Sequence, residues 1–458
     1  MHHPQHFLAM WRFLVANNMQ SYFSDIVKGI SSHIKPQEKF TAWFSGEEMD
    51  FARFSHNKIR QAGSVTQRFV SLDLIDGKKH AGATIGLSGS LATDAPVVQT
   101  TINKLRDQLA VSAEDPYFIF NEQRCDSASS SPNELAPKEE VVGNVLKNAT
   151  GLDHVGIYFG GPIFKGFANS LGQFNWFEKS SFVLDTSVYH SNDKAIKQSY
   201  SGTRFDNALH QQKIAKVRSE LKLFDKPIES LKPGLHRVYF SPAAVYEILS
   251  LLNWQGFSRK MLEVKNSPLV PLSDNKKTFS PSFSLSENVA LGVGPNFQGQ
   301  GFIKPANLEV IAAGRLKNAM VSPATAAEYG LTHTGSDEGE LLTAMQMAPG
   351  DLPTADVLKT LGNGLYINNL WYLNYSDPTQ GCLTGMTRFL CYTVKNGEPQ
   401  AAFNVMRFDE SIYNILGSHL AAITSEREQI IDNGTYEERS TSSAILPGII
   451  VDDFRFTL

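Results

Sequence analysis

Cysteine is scarce in this chain. Cys125, Cys382 and Cys391 are the only three in 458 residues. They are odd in number and far apart, which excludes a disulfide framework and fits a reducing cytoplasm. No stretch is apolar for the ~18 residues that a membrane-crossing helix needs, so no transmembrane segment is expected. Basic residues are not in excess. The net charge is −4, and nothing electrostatic points to nucleic acid. Histidine is absent from a long stretch of the chain. None occurs between His236 and His333, and no cysteine follows Cys391. His154, His190, His210, His236, His333 and His419 are scattered, with no pair three or four apart on one helix. His2, His3 and His6 are metal-affine by type but sit at a terminus and read as incidental. Gly292, Gly294, Gly299 and Gly301 lack the strand-then-helix setting and the Lys-Ser/Thr of a phosphate loop. No serine has the glycine frame of a nucleophile elbow.

Turn formers and half-apolar strands are plentiful. A chain this long implies two or three domains, and 34 Gly with 21 Pro suggest a β-rich fold with many turns. Phe7–Ile34 reads as helix, because Phe23, Ile26, Val27, Ile30 and Ile34 recur at three and four. The apolar run Phe7–Val15 follows histidines rather than Lys or Arg and has no small-residue cleavage site, so no signal peptide is expected. Lys39–Ser90 switches to period two, with a hairpin signal at Asp76-Gly77. Thr101–Leu109 looks helical. Asp126–Glu140 is polar, holds two prolines and reads as a loop. Leu152–Thr203 returns to strands, with a turn at Asn169–Gly172 in which Gly172 takes positive φ. His210–Lys222 is a charged helix, and Lys226–Gly234 is a linker.

Arg237–Phe240 then reads as a short buried strand. Ser241-Pro242 opens a helix, Ser as N-cap and Pro at the first turn. Val245, Leu249 and Leu252 form its apolar row. Further on, Gly364–Tyr375, Met386–Lys395 and Ala401–Phe408 read as three strands of a meander. They are separated by Asp377–Gly381 and by the Asn396-Gly397 hairpin signal. Ser442–Val451 reads as a final strand.

These segments together resemble the TldD/PmbA family. The family pattern "GLYV…NPxTGxFSxGxxGxxIENGxxxxPV" is met by Gly364, Leu365, Tyr366, Ile367, Pro378, Thr379, Gly381, Gly385, Asn396, Gly397, Glu398 and Pro399. Asp377 replaces the usual Asn, and Thr387-Arg388 stand where a later Gly is expected. Phe51–Gln61 resembles the family's "xxRFANNxIxQ" strand, and Phe167–Gln173 its "xANSxGxxx" hairpin. The region from Phe297 to Leu316 resembles "FDxEG…LIxxGxL" without its acidic pair. The final strand resembles "xPSxxIxGLxVxG".

The resemblance and the residue patterns together imply an α+β protein. An N-terminal helix-plus-antiparallel-sheet unit is expected over 17–112, a second α/β sub-domain over 113–232, and a large β-rich C-terminal domain over 233–458. In the TldD branch the helix after Ser241 carries His-Glu-x-x-x-His, and a cysteine near the C-terminus completes a zinc peptidase site. Here Tyr246, Glu247, Leu251 and Leu252 stand at those positions, so neither metal ligands nor catalytic residues are expected. A lone Glu247 cannot hold catalytic zinc, which takes about three protein ligands. The resemblance is therefore to the PmbA/TldE branch. It implies a non-catalytic subunit whose zinc belongs to a TldD-like partner, in a cytoplasmic heterodimer that degrades or matures short or unfolded peptides; the older family name is modulator of DNA gyrase. A homodimer is the other arrangement. Tyr366, Asn369, Trp371 and Tyr372 are the candidate groove residues for an extended peptide held by β-augmentation. Three alternatives stay open: a stand-alone peptidase with another site, a peptide-binding homodimer without catalysis, and a structural scaffold.

Overall fold

The computed structural model describes residues 19–190 and 194–458. The expected start of the first helix near Phe7, and the His2, His3 and His6 group, lie outside the described residues. Helix α1 (Met19–His33) buries Phe23, Ile26 and Ile30 along one stripe, as the 3.6-residue period requires. Strands β1 (Glu38–Ser55), β2 (Lys58–Asp76) and β3 (Lys79–Gly86) follow as an antiparallel meander. The β1–β2 turn falls on His56-Asn57, inside a segment expected to run on as strand. Both residues take positive φ, 49° and 54°, which suits the right-handed twist of a two-residue hairpin.

Helix α2 (Leu91–Val111) packs beside α1. The stretch expected as loop, Asp126–Glu140, holds more order than its composition suggested. Strand β4 (Ser127–Ser130) pairs in parallel with a later strand, and helix α3 (Lys138–Asn148) begins inside it. Strands β5 (Asp153–Asn169), β6 (Phe174–Tyr189) and β7 (Ala195–Gly202) join the first three in one seven-stranded sheet. Its order is β3-β2-β1-β5-β6-β4, with β7 also on β6. Thr41–Phe54 of β1 pairs with Asn169–Gly156 of β5, so the sheet continues across residue 112. Gly166 of β5 faces α1, where a Cβ would lie 2.7 Å from the Phe23 ring. Glycine there lets helix and sheet close on each other. The turn after β5 has Gly172 at φ 85°. Asn169 Oδ1 closes it by accepting from Leu171 N and Gln173 N. Helix α4 (Asn207–Leu221) is capped by Asp206, whose Oδ1 accepts from Ala208 N at 2.8 Å.

The C-terminal domain opens with β8 (Gly234–Phe240) and helix α5 (Pro242–Asn253). Short strands β9 (Leu285–Glu287), β10 (Leu308–Ala312), β11 (Arg315–Leu316) and β12 (Ala344–Met347) form one wing. Long strands β13 (Gly364–Asp377) and β14 (Cys382–Lys395) make a hairpin. The third run expected there is not continuous. It breaks into β15 (Glu398–Ala402) and β16 (Arg407–Ser411), both paired with β14. Strands β17 (Leu420–Ile431) and β18 (Ser443–Phe456) end the chain. Strand β8 pairs with β13 on one side and β18 on the other. The path β8-β13-β14-β16-β18 therefore closes on itself, and full closure removes exposed strand edges. Phe240, Ile367, Leu383, Phe408, Ile449 and Phe454 fill the interior.

Candidate functional site

Helix α5 is built as its sequence indicates. Ser241 Oγ accepts from Ala244 N at 3.3 Å and donates to Asn368 O at 2.6 Å, which ties the cap to β13. Val245, Ile248, Leu249 and Leu252 are buried in the core of the C-terminal domain. Leu251 is buried too, so two of the four positions that match the family's metal helix serve packing. The other two, Tyr246 and Glu247, lie off that row. Tyr246 Oη reaches Asp432 Oδ2 at 3.4 Å. Burial, then the Asp432 charge, push the phenol's pKa well up, so it stays protonated. Glu247 is open to solvent by surface area. The atoms around it still exclude enough water to raise its carboxyl, with Lys197 opposing the shift and Asp432 adding to it.

The charges that act on this helix come from Lys197 of β7 and from Asp432 in the connection between β17 and β18. Asp185 of β6 accepts from Lys197 Nζ at 2.6 Å, Ser199 Oγ at 2.8 Å and Asn433 Nδ2 at 3.0 Å. Asp432 folds back on its own loop through Gly434 N at 2.6 Å. Asp185, Lys197, Asp432 and Asn433 carry no sequence motif, and the first two lie more than two hundred residues from the last two. Asp432-Asn433-Gly434 reads only as a turn.

Zinc does not fit this setting. Catalytic zinc takes about three nitrogen, sulfur or carboxylate ligands. Here the helix offers one carboxylate and a phenol held protonated, and Asp185 already accepts from three donors. Among the described residues no three His, Cys, Asp or Glu side chains come together as a ligand set.

The groove candidates separate. Tyr366 is buried, its ring stacked on Tyr392 at 4.6 Å and its hydroxyl accepting from Lys216 Nζ at 2.9 Å. It joins α4 to the C-terminal domain and lines no open surface. Asn369, Trp371 and Tyr372 lie further along the β13–β14 hairpin, Trp371 and Tyr372 exposed. Tyr375 Oη donates to Leu251 O at 3.1 Å, which holds that hairpin against α5. Thus only Trp371 and Tyr372 stand at a surface, with Asn369 half-buried beside them.

Comparison with known proteins fits this architecture. Residues 233–458 match the family model of the PmbA/TldA metallopeptidase C-terminal domain. No curated protein matches the sequence. The crystal structure of TldE from Thermococcus kodakarensis is similar with a TM-score of 0.74 at 14% identity, over 95% of this chain and 100% of that one. A protein from Thermotoga maritima, named as a modulator of a DNA gyrase, is similar at 0.73 and 13% identity, over 95% and 100% of the two chains. Another named as a modulator of DNA gyrase, from Bacteroides thetaiotaomicron, gives 0.69 and 13%, over 95% and 98%. At such identities the likeness to these structures is one of fold. Residues 233–458 of this chain thus belong to the PmbA/TldA metallopeptidase C-terminal domain family.

Proposed function

We propose that this chain is the non-catalytic, peptide-holding member of a two-component metallopeptidase, paired with a TldD-like chain that carries the zinc. The observation that carries this reading is the face of α5. The positions matching the family's metal helix are two core leucines, a protonated phenol and a single carboxylate. The helix itself is complete, capped and packed. A fold kept whole around a site without ligands suits a subunit that shapes a chamber and orients peptide. The exposed aromatic residues Trp371 and Tyr372 supply a holding surface.

The test is zinc content and peptidase activity of the purified chain, alone and mixed with a TldD-like chain from the same cell. The expected result is no stoichiometric zinc and no cleavage alone, with cleavage in the mixture. One zinc per chain together with unaided cleavage overturns the proposal.

A further inference from the structure

One face of the β13–β14 hairpin carries polar groups that nothing among the described residues satisfies. The ladder pairs Asn369 with Arg388 and Trp371 with Met386. Directly paired residues, and residues two apart on a strand, project from the same face. The Arg388 guanidinium lies 3.9 Å from the centroid of the Trp371 ring and 5.2 Å from that of Phe389. Among the described residues it has no carboxylate or carbonyl partner; its contacts are the two rings. Opposite it, the Asn369 Oδ1 is buried without a hydrogen-bond partner. Leaving a buried acceptor unmade is costly, so such a group calls for a donor. Trp371 and Tyr372 are 44% and 68% exposed. Register shifts break the ladder here, and Tyr372 and Phe389 sit at φ 53° and 57°. Bulky side chains seldom adopt that conformation, and bulges of this kind re-aim side chains next to functional sites.

Resting on the peptide-holding reading above, we propose that this face docks a peptide bearing a carboxylate next to an apolar side chain. A guanidinium that is flat, always charged and already stacked presents a ready fork to a carboxylate. The neighbouring apolar side chain covers Trp371 and Tyr372, whose rings offer rigid contact area at little entropic cost. The unpaired positive charge selects acidic peptides over neutral and basic ones. An Asp or Glu side chain and a C-terminal carboxylate present the same chemistry to Arg388.

Fluorescence anisotropy with the full chain tests this. The probes are a short labelled peptide with one Leu-Asp pair, its Leu-Asn counterpart, and C-terminally amidated forms of both. Expected is binding about tenfold tighter when the carboxylate is present, a difference abolished by Arg388→Gln, with Trp371→Ala weakening every peptide. Loss on changing Asp to Asn names the side chain as the source, and loss on amidation names the C-terminus. Either supports the proposal. Equal binding of all probes, unchanged in Arg388→Gln, overturns it and leaves the peptide-holding reading standing. No binding of any probe overturns both. Arg388→Gln is read only with thermal unfolding matching the parent. Otherwise Arg388→Lys, which keeps the charge and loses the fork, is read in its place.

Discussion

Two histidines show how a single side chain can set the response of this protein to acid. His154 and His210 are fully buried. Both ring nitrogens of His154 lack partners, while His210 Nδ1 lies 2.8 Å from Asn148 Nδ2. Burial lowers each pKa from 6.5 to about 4; His154 and Lys213 add to the effect on His210. Between those two values the unfolded chain binds protons that the folded chain refuses. Their stabilising effect is therefore full above pH 6.5 and is lost as pH falls toward 4. Urea unfolding at pH 7 and pH 5 should differ by roughly 2 kcal/mol for each histidine. His154→Phe should flatten that dependence, and a flat profile in the parent chain would refute the assignment. In the sequence these two histidines stand far apart; in the fold they come close enough for His154 to act on His210. The sequence does not show that they are buried, because His154 alternates along a strand like any polar residue. Tyr366 is the reverse case. Its aromatic strand suggested a groove, but the stacking on Tyr392 and the Lys216 bond come from segments distant in sequence.

Among the elements, helices with caps and hairpins with glycine turns were the most legible. Ser241-Pro242 starts α5 as read, and Asn396-Gly397 turns with φ 52° and 78°. The His56-Asn57 turn was missed because positive φ is uncommon outside glycine and no glycine marks the place. The break between β15 and β16 was missed because both halves pair with the same strand, so the apolar pattern runs on through it. The β13–β14 hairpin carries a prediction of its own. Tyr372 is mostly exposed and held in the left-handed region. Tyr372→Gly should relieve that strain and raise unfolding stability by about 1 kcal/mol. In the peptide assay the same variant should bind more weakly. A loss of stability would mean that the ring's contacts outweigh the strain.

Across the whole molecule, the two sheets are joined by the connection between β17 and β18. Arg439 of that connection is buried against the first sheet. Its guanidinium donates to Ser181 O at 3.2 Å and Gly161 O at 3.0 Å, and lies 3.7 Å from Glu47. Burial lowers the Arg439 pKa to about 10, still charged at neutral pH. Beside it, Lys165 Nζ bonds Glu438 Oε1 at 2.7 Å. Deleting one partner of a buried ion pair strands the other, so Arg439→Ala should cost about 3–5 kcal/mol. Calorimetry should show one unfolding transition in the parent and two in Arg439→Ala, as the sheets uncouple. A single unshifted transition would show that the sheet contacts elsewhere suffice.

The sequence by itself determined the periodic elements, most turns and the mixed helix-and-sheet class. Each of these depends on neighbours within a few residues, where spacing and side-chain chemistry act directly. Only the tertiary structure decided that residues 153–202 extend the first sheet, that five strands of the second close on themselves, and that Lys197 and Asp432 act on the helix. The same holds for the unpartnered Arg388 and the orphaned Asn369 oxygen. Strand pairing and burial are set by contacts between distant segments. Their free energy appears only once the loops between them have closed.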